Sequence, residues 1–289
     1  MVIIGIKEGL GNQMSQYAFG RLLALKYRKT VKYDISFYDC HKVHQGFELQ
    51  SIFPDLAMEL ASKYEIFTAC HMLPRGHSRV MNKLAQAMEK LFLHSRVYYQ
   101  EFVSGYPVDT KVVEPGFDNI YVDGVFHNYD YSEIIQNLRC EFRFKPLDSR
   151  NLQMKEEMEE SQSVSIHIRR GDYVGLGLNV VPIEYYKDAI AYISAHVESP
   201  RFFVFSDDID WVKDTLPFIP SPTFVNWNIG TESYKDMQLM SCCKHNIIAN
   251  STFSYWGAML NANADKIVIK PRMQTRTRET WKTPGWIKM

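Results

Sequence analysis

The chain has 289 residues, enough to bury one large core or two smaller ones. With 46% hydrophobic and 23% charged residues it has the make-up of a globular protein, and its formal net charge of zero removes any general electrostatic case for nucleic acid or an anionic membrane as a partner, leaving only local basic clusters. Five scattered cysteines without a C-x-x-C pair argue against a disulfide framework and against structural zinc, and point to a reducing, cytoplasmic compartment.

The first apolar run, over residues 2–6, is too short for a signal peptide or an anchor and reads as a strand. A glycine loop, Gly9-Leu10-Gly11-Asn12-Gln13, follows it, then helical spacing over 14–27 and a second strand over 30–34 ending at Asp34. Two glycines before a helix can bring backbone N–H groups close to an anion or a sugar, although such a loop is common in βα units. Between residues 55 and 100 the pattern predicts two helices, one through Met58, Leu60, Ala61, Ile66 and Phe67, the other through Leu84, Ala87, Met88, Leu91 and Phe92. Around them lie Arg75, His77, Arg79, Lys83, Lys90, His94 and Arg96, either the solvated face of packed helices or a patch for an acidic carrier or a membrane surface. The polar stretch 128–160, with Pro146, is the expected bridge between an N-terminal unit over 1–150 and a C-terminal unit over 151–289.

From residue 160 the alternation becomes regular. Strands are expected at 164–168, 201–205, 223–225, 246–249 and 266–269, and Pro182 opens the longest of the intervening helices. Short apolar strands separated by helices indicate α/β architecture with parallel sheets. Three of the strand ends carry polar clusters: His167-Ile168-Arg169-Arg170-Gly171-Asp172, Ser206-Asp207-Asp208, and Asn250-Ser251-Thr252. In an open α/β sheet the loops beyond the carboxyl ends of strands line one edge, so the three can converge on one ligand. Paired guanidinium forks match phosphate oxygens, which makes a diphosphate the natural candidate. Arg170-Gly171-Asp172 as an adhesion tripeptide would need an exposed extracellular loop. Asp208 and Asp210 form an Asp-x-Asp that could hold a divalent cation, against which Asp210 sits where a helix-capping carboxylate is expected. Asn250-Ser251-Thr252 matches a glycosylation sequon, yet before a helix its hydroxyls and N–H groups also suit phosphate oxygens.

At Gly9-Leu10-Gly11-Asn12-Gln13 with Gln16-Tyr17-Ala18, at His167 through Tyr173, at Phe205-Ser206-Asp207-Asp208 with Trp211, and at Asn250-Ser251-Thr252-Phe253-Ser254 with Trp256-Gly257-Ala258, the chain resembles the α-1,2-fucosyltransferases of glycosyltransferase family 11. The resemblance implies a GT-B-like pair of Rossmann-like units with the donor site in the C-terminal one. It implies inverting, metal-independent transfer of L-fucose from GDP-β-L-fucose to O2 of a terminal β-galactoside, with no cofactor. Arg169 would contact the β-phosphate and His167 the nucleoside side. Asp207 would hold guanine or ribose, and Ser251 and Thr252 the phosphates. Arg170 would orient the loop through Asp172, and Asp34 is a general-base candidate on position alone. Ser206, Asp208, Asn250, Gly11, Asn12 and Gln13 complete the expected donor site. The implied acceptor is a galactose-terminated oligosaccharide, free or lipid-linked, used in the cytoplasm or at the inner membrane surface. Competing readings are another nucleotide-sugar transferase, a silent nucleotide- or glycan-binding protein, and an oxidoreductase built on Gly9 and Gly11 that lacks the third glycine of its fingerprint.

Overall fold

The structure is a computed structural model in which residues 1–70, 79–92, 98–100, 119–126, 129–175, 180–272 and 281–289 are described. The chain separates into two compact units, Met1–Arg143 and Phe144–Met289. Each is built on its own parallel sheet.

The N-terminal unit has strands β1 (Val2–Gly5), β2 (Val31–Asp34), β3 (Tyr98–Gln100) and β4 (Ile120–Asp123), in the order β2-β1-β4-β3. Helix α1 (Leu10–Tyr27) is buried along most of its length, and its rings stack into the unit: Phe19 on Phe126 at 4.2 Å and Tyr17 on Tyr33 at 5.3 Å. It begins four residues before the predicted start. The Gly9 carbonyl already accepts from the Asn12 and Gln13 N–H groups, so Gly11, Asn12 and Gln13 are its first turn and not a loop. Short α2 (Leu49–Ile52), α3 (Lys63–Cys70) and α4 (Arg79–Phe92) follow. Residues 59–61 are extended where a helix was expected. Tyr33 N–H donates to the Glu59 carbonyl and Ala61 N–H to the Tyr33 carbonyl, which pairs this stretch with the edge of β2. Arg75, His77, His94 and Arg96 of the basic stretch lie outside the described residues.

The expected bridge is largely helical: α5 (Ile135–Glu141) and α6 (Ser149–Glu160) occupy most of its described part. Helix α6 is polar and buries mainly Asn151 and Met158. Its start is set by Asp148, whose carboxylate accepts the Asn151 N–H.

The C-terminal sheet contains β5 (Gln162–Ile168), β6 (Pro200–Ser206), β7 (Thr223–Val225), β8 (His245–Ile247), β9 (Val268–Lys270) and β10 (Ile287–Lys288), ordered β10-β9-β8-β5-β6-β7. The short β10 was not expected from the sequence. Helices α7 (Gly171–Gly175), α8 (Ile183–His196), α9 (Ile209–Thr215), α10 (Tyr234–Cys242) and α11 (Thr252–Leu260) connect the strands. Alternation along β5 sorts its two faces. Val164, Ile166 and Ile168 join Phe202 and Val204 of β6 in a core with Tyr185, Ile190 and Ile193 of α8 and Val212 of α9. Ser163, Ser165 and His167 face the other way; there Ser165 Oγ accepts from Asn246 Nδ2 at 2.8 Å, and the His167 ring lies 5.8 Å from that of Phe253 on α11. Trp256 is fully buried, as expected. The chain runs from β5 to β6 and β7 on one side, then returns to place β8 on the other flank of β5. The topological switch point therefore lies between the carboxyl ends of β5 and β8, where open α/β sheets bind ligands.

Candidate active site

The three polar strand ends of the C-terminal unit meet at this switch point and are tied to one another. Arg169, just past β5, places Nη1 2.9 Å from Asp207 Oδ2, just past β6. Arg170 reaches the same loop twice: its backbone N–H donates to Asp207 Oδ1 at 2.9 Å and its Nε to Asp208 Oδ2 at 3.2 Å. The Arg170 guanidinium also stacks 3.5 Å over the Trp211 ring on α9. On the other flank, the Tyr173 hydroxyl donates to the Asn250 carbonyl beyond β8 at 3.2 Å, and the Tyr173 ring lies 5.6 Å beneath the Arg169 guanidinium.

Local sequence explains each position. Gly171 sits where any side chain would collide: an added Cβ would lie 2.7 Å from Asp207 Oδ2 and 3.1 Å from its Cγ. Asp208 caps α9 by accepting the Trp211 N–H at 3.3 Å, while Ser206 Oγ accepts the Asp208 N–H. Asp210, the capping residue expected from the sequence, instead stands in the first turn with its carboxylate almost fully in solvent. Both aspartates of the β6 end are thus held by arginines. Ser251 caps α11 through Oγ, accepting the Phe253 N–H at 3.3 Å, and its own O–H remains able to donate. Asn250 and Ser251 are buried and Thr252 is half-buried. The backbone of Asp172 lies in α7; its side chain is outside the described residues.

His167 is the last side chain of the polar face of β5 before the edge. It is 5% exposed, and Nδ1 has no hydrogen-bond partner. Burial, then the Arg169 charge, push its pKa down to about 4 against the opposing pull of Asp207, so the imidazole is neutral at pH 7. Two tyrosines of α8 brace the strand ends. Tyr186 donates to the His167 carbonyl, and Tyr185 to the carbonyls of Ile248 and Ile269. Sequence reasoning took these tyrosines only as helix spacing, and it did not assign Tyr173 and Trp211 a site role. The one available signal for Trp211 is an aromatic three residues after a capping aspartate.

The N-terminal unit closes its own switch point, between β1 and β4, with internal contacts. Lys7 pairs with Asp123, and Gln16 links the Lys7 N–H to the Gly124 carbonyl. Gln13 is fully buried, and its amide is consumed: Nε2 donates to the Glu8 and Gly46 carbonyls, and Oε1 accepts the Glu48 N–H. Asn12 donates to the Glu8 carboxylate. Burial raises the pKa of the Glu48 carboxyl to about 7, against the opposing pull of the Leu10 N–H, while Gly9 gives α1 no side-chain cap. Glu8 and His44 both hold left-handed φ, 68° and 49°, where these two loops are pinned together. Asp34, at the end of β2, is buried; Oδ1 accepts the Ser36 N–H at 2.8 Å and Oδ2 the Tyr121 hydroxyl at 2.9 Å.

Comparison with known proteins places this arrangement. The whole chain, residues 1–289, matches the model of glycosyl transferase family 11. Two Escherichia coli proteins are each 33% identical to it. They are the O-antigen biosynthesis glycosyltransferase WbnK, over 92% of this chain and 92% of that protein, and an alpha-1,2-colitosyltransferase, over 94% and 91%. The crystal structure of NodZ alpha-1,6-fucosyltransferase from Bradyrhizobium, co-crystallised with GDP, aligns at TM-score 0.54 over 90% of this chain and 92% of its own, with 16% identity. That likeness carries the fold alone, which is the GT-B-like α/β fold expected from the sequence. Family match, long relatives and fold agree: the chain is a glycosyltransferase and belongs to glycosyl transferase family 11.

Proposed function

We propose that this glycosyltransferase moves L-fucose from GDP-β-L-fucose to O2 of a terminal β-galactoside, with inversion at the anomeric carbon. One observation carries the proposal: Arg169 and Arg170 are held by Asp207 and Asp208 at the switch point, beside the N-terminus of α11. Preset guanidinium and N–H donors of this kind stabilise a diphosphate as it leaves. In the proposed step the acceptor O2 forms a bond to C1 as the bond from C1 to the diphosphate oxygen breaks. The electron pair departs with GDP. Arg169 takes the β-phosphate, Ser251 and Thr252 the remaining phosphate oxygens, and neutral His167 and Asp207 the nucleoside. Ser206, Asp208 and Asn250 hold these groups in register.

Arg170 acts from behind, through Asp207, Asp208 and Trp211. Asp172 belongs to the same turn, and its part in the reaction is part of the proposal. The acceptor proton goes to Asp34, a reading supported by its place at the end of β2 and by the lone pairs left after Ser36 and Tyr121 have bound. Gly11, Asn12 and Gln13 contribute through the loops they hold. No divalent cation enters the proposal, because the guanidinium groups supply the positive charge. The setting proposed is cytoplasmic, with a galactose-terminated oligosaccharide, free or lipid-linked, as acceptor.

A second reading, a colitosyl donor, is favoured by the similarity to the alpha-1,2-colitosyltransferase over nearly the whole chain. One assay separates the two: transfer from GDP-fucose and from GDP-colitose to lactose and to a type-1 galactoside, in EDTA, with linkage analysis of the product. An α-1,2-fucosylated galactoside is expected. Product from GDP-colitose alone would favour the second reading, and loss of transfer in EDTA would remove the metal-independent mechanism.

A further inference from the structure

Two aliphatic side chains of helix α4, Val80 and Leu84, face water. Val80, Met81 and Leu84 are 71%, 39% and 51% exposed, and Arg79 and Lys83 beside them are exposed as well. Positions 80, 81, 84, 87 and 88 recur at the spacing of one helical face, which a soluble helix normally packs against a core. The sequence around the helix is basic. Residues 71–98 contain five Arg and Lys (Arg75, Arg79, Lys83, Lys90, Arg96) against one acid, Glu89, in a chain whose net charge is zero.

We infer that α4 lies on an anionic lipid bilayer, with Val80 and Leu84 in the headgroup region and the neighbouring Arg79 and Lys83 on lipid phosphates. An aliphatic stripe flanked by lysine and arginine on one helix is the composition of interfacial helices. A second copy of the chain is a poor occupant, since it would bring two clusters of like charge together. An acidic protein would satisfy the cations but gives no reason for the aliphatic stripe between them. The inference does not depend on the donor chemistry, and the residues concerned are remote in sequence from those assigned to the site.

The test is co-sedimentation of the full chain with phosphatidylglycerol-containing vesicles and with pure phosphatidylcholine vesicles. Binding to the former, weakened by salt and absent on the latter, is expected. Val80→Asp with Leu84→Asp should abolish it, and Arg79→Gln with Lys83→Gln should weaken it about fivefold per cation removed. Unchanged melting temperatures and circular dichroism would show that the variants are folded. Wild-type protein left in the supernatant would overturn the inference. So would equal binding to both vesicle types, or a dimer in ultracentrifugation that Leu84→Asp converts to monomer.

Discussion

Replacing Gly171 by alanine is expected to damage donor binding without damaging the fold. The added Cβ would stand 2.7 Å from Asp207 Oδ2, whereas carbon packs at roughly 3.5 Å, so the carboxylate must retreat by about 0.8 Å. That same oxygen pairs with Arg169 at 2.9 Å, and its twin accepts the Arg170 N–H at 2.9 Å. Loosening two charge-assisted contacts would cost about 1–3 kcal/mol, toward the lower end because Arg169 and Asp207 are each about a quarter exposed. Donor kcat/KM should therefore fall roughly fivefold to thirtyfold. Alanine is the better helix former, by about 1 kcal/mol, and Gly171 opens α7, so part of that cost is offset and the melting temperature should hold or fall only slightly. The decisive comparison is a double-mutant cycle. If Asp207 is the obstacle, Gly171→Ala should add little to the defect of Asp207→Ala. Full kcat/KM in Gly171→Ala, or strict additivity with Asp207→Ala, would refute the proposed coupling.

Arg169→Lys and Arg169→Ala should each lose most of kcat, since a point charge cannot replace the bidentate fork; near-wild-type turnover in either would remove Arg169 from the leaving-group role. Trp211→Ala should raise the donor KM about threefold to thirtyfold by releasing Arg170, with Trp211→Phe recovering part of the loss in initial-rate measurements. Because the folded pKa of His167 lies below the unfolded value, its neutral form stabilises the protein fully above pH 6.5. That contribution fades as pH falls towards 4, by at most about 1.4 kcal/mol per pH unit. Denaturant titrations should show His167→Gln less acid-sensitive in that window. Asp236 on α10 bonds to Asn228 and is pushed up to about 7 by burial, the opposite case for a carboxyl. Stability should decline as pH rises from about 4 to 7, so Asp236→Asn should raise the melting temperature at pH 8 and leave it unchanged near pH 4.

Apart from the short β10, the strands of the C-terminal unit could be read directly, because β-branched and aromatic runs between glycine, proline and polar clusters leave few alternatives. Convergence of Arg169, Asp207 and Asn250 followed from the rule on strand ends, without any contact being known. The partners of Arg170 did not follow: Trp211 and Asp208 lie about 40 positions away, and only the β5–β6 register brings them together. Helix α6 could not be read, because most of its length faces solvent and its order comes from the cap at Asp148 and the links from Asn151 to Trp227 and Asn228. The glycine loop was misread for a related reason. Nothing local caps α1 there; its first turn is held by Gln13, which bonds Gly46 and Glu48 more than thirty residues on. Gln13 could pass for a ligand residue in sequence, since a buried amide that pins two loops has the same composition as one that binds a sugar.

The most direct test of the proposed site is the affinity of GDP and of GMP, measured by calorimetry for the wild type and for Arg169→Ala. GDP should bind more tightly than GMP to the wild type, and the variant should lose most of that difference while keeping its affinity for GMP. An undiminished preference for GDP in Arg169→Ala, or failure of the wild type to bind GDP, would contradict a diphosphate clamp at the ends of β5, β6 and β8.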